Sequence, residues 1–111
     1  VRYAFFADGN PVPDYWRRGW HWRTAMVQGH ATQSVDSAEW WAAGTAPLLV
    51  VQPDADRIAP REDTADLLAA EFGERVEVVL IADAGHALLP EQPTAVAGAV
   101  LEFLQNHATR P

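Results

Sequence analysis

The sequence predicts an α/β protein: the closing βαβα part of a parallel sheet, preceded by a helical segment. Three observations carry this. Two short apolar runs, "PLLVVQ" at 47–52 and "VEVVLIA" at 76–82, read as strands buried on both faces. Each is followed by a segment with apolar residues at helical spacing. Residues 1–45 hold all five tryptophans (Trp16, Trp20, Trp22, Trp40 and Trp41) and no strand-like run.

From the N-terminus, "PVPDYWRRGWHWRTAMVQGHATQ" reads as one helix opening at Asp14, a good N-cap after Pro13, with Gly19 and Gly29 weakening it. "SVDSAEWWAAG" reads as a short second helix, with Asp36 and Glu39 as a capping box and Gly44 as the stop. Residues 1–45 are thus expected to form a Trp-rich lid or connector, and 46–111 the βαβα unit. Within that unit "PREDTADLLAAEFG" is a helix whose Glu62, Asp63 and Asp66 suit the positive end of the dipole, and Gly73 ends it. Ala65, Leu68, Ala69 and Phe72 line one face. The last helix opens in "PEQP", where proline is tolerated in a first turn, and carries Val96, Val100, Leu101, Phe103 and Leu104. Short connections between buried strands predict a parallel right-handed crossover. There is no internal repeat and no low-complexity tract.

Composition excludes several function classes. With 111 residues, 49% hydrophobic and 21% charged, the chain fits one modest domain. A net charge of −7 with no basic tract argues against a nucleic-acid surface. No apolar run approaches a membrane span and nothing resembles a signal peptide, so the expected setting is cytoplasmic. The absence of cysteine removes disulfides, thiolate zinc sites and a cysteine nucleophile. His21, His30 and His107 lack ligand spacing, and no metal or organic cofactor is expected.

In open α/β sheets, ligands gather beyond the carboxyl ends of the strands. Two polar loops fall there, "QPDADRIAP" after the first strand and "DAGHALLPEQP" after the second. If the strands are parallel neighbours, an acid of the first loop reaches the histidine of the second. A carboxylate so placed holds an imidazole in one tautomer and stabilises its cation. Two aspartates, Asp54 and Asp56, are available, and both also suit a plain turn. Glu91, in what reads as the first turn of the last helix, is expected to be structural. Gly85 is expected to supply permissive backbone angles just before His86.

These residues resemble a family. "PLLVVQPDADRIAP" followed by "VEVVLIADAGHALLPEQPTAVAGAVLEFL" resembles the last two βα units of an α/β-hydrolase over residues 46–105. The matching elements are the Asp-Arg-Ile-x-Pro loop, the Gly-His pair, the Glu-x-Pro and the closing Phe-Leu. One departure is Pro53, where the family often has glycine. The resemblance implies Asp56 as the triad acid and His86 as the general base, with Ile58 and Ala87 as candidate substrate contacts. It also implies a serine nucleophile on a G-x-S-x-G elbow earlier in the chain. No such elbow occurs here: the serines are Ser34 and Ser37, and the chain opens on Val1 rather than Met. The expectation is therefore the C-terminal part of a hydrolase, partnered by an N-terminal half on the same precursor or on a second chain. The implied substrate is a carboxylic ester, lactone or related acyl compound. Epoxide hydrolases and haloalkane dehalogenases share the histidine but use an aspartate nucleophile, and a non-catalytic binding module stays open beside them. The tryptophans read as lid core or interface, with the lining of a substrate tunnel or a sugar-binding surface as the functional alternatives.

Overall fold

The computed structural model describes residues 2–19 and 21–108. Its centre is a two-stranded parallel sheet. Strand β1 (Leu48–Pro53) pairs with β2 (Val76–Ile81) in the register Leu48↔Val76 through Pro53↔Ile81. Both strands therefore end at the same edge. Their exits are joined there by Asp54 N–H donating to the Ile81 carbonyl and Ala55 N–H to the Ala84 carbonyl, each at 3.0 Å. Pro53 donates nothing to this ladder and stands at the strand's last position, where proline is tolerated.

The helices preceding β1 are α1 (Arg2–Phe5), α2 (Asp14–Gly19) and α3 (Trp22–Gln33). The sequence predicts α2 and α3 as one continuous helix. They are separate elements: α2 ends at Gly19, Trp20 lies outside the described residues, and His21 has extended angles before α3. The expected second helix is a single 3₁₀ turn, Ser37–Glu39. Asp36 caps it by accepting the Ala38 N–H at 3.0 Å. Helix α1 had no motif to announce it. Beyond β1 come α4 (Ala65–Phe72), preceded by a 3₁₀ turn at Arg61–Asp63, then β2, α5 (Leu88–Glu91) and α6 (Pro93–His107). The "PEQP" segment thus opens α6 only from Pro93. Glu91 closes the one-turn α5 rather than standing in the first turn of the long helix.

The strands were expected to be buried on both faces; most of their residues are half-buried. Helix α4 packs against β2, and α6 touches both strands. Two strands with these helices leave apolar surface in water: Leu80 of β2 and Val100, Leu101 and Leu104 of α6 are exposed. The accessible area, 7983 Å², exceeds the roughly 6,000 Å² expected of a compact monomer of this mass. Among the described residues the largest fully buried side chain is instead Phe6, from the N-terminal segment, in a cluster with Val12 and Ala87. Residues 2–16 thus build the floor beneath the loop that follows β2.

Candidate active site

The two loops at the shared strand edge present Asp56 and His86 to each other. His86 Nδ1 lies 3.0 Å from Asp56 Oδ2 and 3.2 Å from Oδ1. Both distances fall within hydrogen-bond reach. The Asp56 side chain is 5% exposed and that of His86 38%, so the acid is sealed off while the imidazole meets the surface. Asp56 does not rely on His86 for its orientation. Its Oδ1 accepts the N–H groups of Ile58 and Ala59, both at 2.9 Å, the local turn that an aspartate side chain builds with its own backbone. Asp54, the rival acid, does not reach the imidazole. Its carboxylate faces the Ala84 N–H at a long 3.4 Å.

The acid loop is braced from below by a residue the sequence reading passed over. Gln52, at the end of β1, is buried, and its Nε2 donates to the carbonyls of Pro53 and Ala59. Its Oε1 accepts the Thr64 hydroxyl at 2.7 Å. A polar side chain buried this deeply needs partners, and Gln52 spends them on both ends of the loop that carries Asp56. The only hint in the sequence was an amide closing an apolar strand.

The loop carrying His86 departs from expectation in one respect. Gly85 does not take a left-handed conformation; the positive φ belongs to Asp83, at 56°. Aspartate tolerates that region better than most side chains. Gly85 is required for space. A Cβ there would stand 2.8 Å from Ala7 N and Phe5 O and 2.9 Å from Phe6 C, all backbone atoms. Gly85→Ala in the full-length protein is therefore expected to lower stability by about 1–3 kcal/mol, the usual cost of overpacking. Urea unfolding measures it, and an unchanged midpoint would contradict the close approach.

The segment crossing Gly85 is tied to both loops. From the acid loop, Arg57 donates to the carbonyls of Tyr3 (3.0 Å) and Phe6 (3.4 Å), pairs with Asp8 at 2.9 Å and lies over the Tyr3 ring. On the other side, Ala87 N–H donates to the Phe5 carbonyl at 2.7 Å. The Phe5 ring stands edge-on to the His86 imidazole, centroids 5.6 Å apart.

Beside the imidazole is an open cleft of ≈ 470 Å³ lined by Trp16, His86, Ala87, Leu88, Leu89 and Pro90. Ala87 belongs to this lining although it is almost wholly buried. Ile58 does not; its side chain is about half exposed, and its contribution to the site is its backbone N–H. Of the serines, Ser34 donates to Ala31 O at the end of α3, and Ser37 lines a different cleft with Trp40, Trp41 and Glu71. Neither lines the cleft beside His86. Among the described residues no three His, Asp or Glu side chains are grouped to hold a metal.

Comparison with known proteins agrees with this architecture. No curated protein matches the sequence significantly. Among solved structures, a thermophilic esterase from Thermogutta terrifontis, determined with malate bound, is 34% identical with a TM-score of 0.57. The match covers 67% of this chain and 26% of the esterase, so the chain spans about a quarter of that enzyme's length. The family model for TAP-like proteins, within the α/β-hydrolases, matches residues 12–110. By that match, over nearly its whole length, the chain belongs to the TAP-like family of α/β-hydrolases.

Proposed function

We propose that this chain supplies the acid and the base of a Ser-His-Asp triad in a hydrolase of carboxylic esters, lactones or related acyl compounds. The observation that carries the reading is the Asp56–His86 contact at the shared strand edge, with the imidazole opening onto a mainly apolar cleft. With Nδ1 turned to Asp56, Nε2 is the nitrogen left for the reaction. A serine hydroxyl from a preceding, N-terminal part of the hydrolase, on the same precursor or a second chain, attacks the acyl carbonyl as Nε2 removes its proton. Nε2 returns that proton to the leaving oxygen. It then takes one from water, whose oxygen attacks the acyl-enzyme, and passes that proton to the serine oxygen as its bond to the acyl carbon breaks. Asp56 keeps the tautomer and stabilises the imidazolium at each stage. The oxyanion-hole donors come from that same preceding part. The exposed Leu80 of β2 and Val100, Leu101 and Leu104 of α6 are where its strands and helices pack, and residues 1–45 are the end of the lid region and its connector to the sheet. Trp16, Leu88, Leu89 and Pro90 offer an apolar wall to the substrate.

A fluorophosphonate probe on the full-length protein tests this. Labelling is expected on one serine outside these 111 residues, and His86→Ala is expected to abolish it. Absence of labelling, with oxygen-18 from water incorporated into an enzyme aspartate during turnover, would replace the serine by the aspartate nucleophile of the epoxide and haloalkane hydrolases. Absence of both labelling and turnover would favour a binding module.

A further inference from the structure

We infer that Glu91 is a positioning residue for His86, an inference that rests on the triad reading above. Its carboxylate is an acceptor-only group surrounded by donors. Oε1 accepts the Ala7 N–H at 2.8 Å and the Asn10 side-chain amide at 2.7 Å, and Oε2 accepts the Gly85 N–H at 2.7 Å. The second proton of the Asn10 amide goes to the Asp83 carbonyl at 2.8 Å. One carboxylate therefore joins three pieces of backbone: residues 7–10, the turn after β2, and the residue immediately before the base.

The consequence for His86 follows from what holds its neighbours. The N–H before it, on Gly85, is bound by Glu91, and the N–H after it, on Ala87, by the Phe5 carbonyl. Phe5 and Ala7 lie in the segment that Arg57, from the acid's own loop, grips through Tyr3, Phe6 and Asp8. Acid loop, N-terminal segment and base loop thus form a closed ring of contacts, and Glu91 joins the last two. Releasing it leaves Asp56 in place, since Asp56 is held by Ile58 and Ala59. What loosens is the imidazole, and displacements of about 1 Å at a reacting group cost on the order of 10²-fold in rate.

Glu91→Gln is the sharp variant because it keeps the shape. An amide has one oxygen, so whichever way it turns its NH₂ meets an N–H donor. The less costly turn leaves the Gly85 N–H unsatisfied, beside His86. With p-nitrophenyl acetate and the full-length protein, Glu91→Gln is expected to lower kcat about 10- to 100-fold. KM should stay within about twofold, because positioning acts on the chemical step rather than on uniform binding. The low-field proton resonance of the His86 Nδ1–H···Asp56 bond should shift or broaden. Asn10→Ala removes one of the three donors and should move kcat and the resonance in the same direction by less. Wild-type kcat with an unmoved resonance in Glu91→Gln, whatever its melting temperature, would overturn the inference; should that variant not fold, the same result in Asn10→Ala would do so. The two readings separate on His86→Ala. Full turnover in that variant defeats the triad assignment, whereas its loss alongside an intact Glu91→Gln defeats the inference alone.

Discussion

Replacing His86 with alanine in the full-length protein is expected to lower kcat by about 10⁶-fold, the scale on which a serine triad loses its base. The proposed chemistry routes every proton through this ring, and the two nearby carboxylates, Asp54 and Glu91, are engaged elsewhere. Asp54 faces Ala84, and the Glu91 oxygens are already occupied by three N–H groups. The fold should hardly register the change, because the side chain is 38% exposed and its ring contact with Phe5 is T-shaped. Steady-state kinetics on an ester, with a melting curve beside it, separates the two effects. A melting temperature near wild type with the rate gone is the expected pair. Retention of more than about a tenth of kcat would remove His86 from the mechanism. The residual rate should still exceed the uncatalysed one by about 10³- to 10⁴-fold, from oxyanion stabilisation and binding.

What the sequence made legible is local or depends on simple periodicity. The apolar runs that became β1 and β2 have few other uses, and parallel pairing follows from a helix-length connection between them. That pairing brings Asp56 and His86 to one edge, so a 30-residue separation in sequence closes to 3.0 Å. What could not be read depends on where distant backbone passes. Gly85 reads as an ordinary turn glycine, yet its constraint comes from Phe5, Phe6 and Ala7, about 80 positions earlier. Glu91 reads as a helix-dipole carboxylate because "PEQP" suits a helix start, and its actual partners are Ala7, Asn10 and Gly85. Gln52 hides inside a strand. The helix expected from Asp14 onwards ends at Gly19, a residue of low helix propensity, and His21 is extended before α3 begins.

Asp56→Asn is expected to cost about 10⁴-fold in kcat, the loss seen when a triad acid becomes an amide without moving. The surrounding backbone decides which way that amide turns. Two N–H groups, from Ile58 and Ala59, converge at 2.9 Å on the Oδ1 position and demand an oxygen there. The NH₂ must then occupy the Oδ2 position, 3.0 Å from His86 Nδ1. A donor facing Nδ1 makes that nitrogen an acceptor, so the ring's proton moves to Nε2. A ring protonated at Nε2 cannot accept the serine proton. The site would thus be intact in shape and wrong in tautomer, which nitrogen-15 shifts of the imidazole would report directly. Asp54→Asn provides the contrast. Its longest-range partner, the Ala84 N–H at 3.4 Å, is a weak contact that an amide oxygen serves as well, and kcat should fall less than about tenfold. Equal losses in the two variants would mean that neither carboxylate acts through the imidazole. A larger loss in Asp54→Asn would hand the acid's role to the residue two positions earlier, and would require the loop after β1 to turn differently from the one that Gln52 braces.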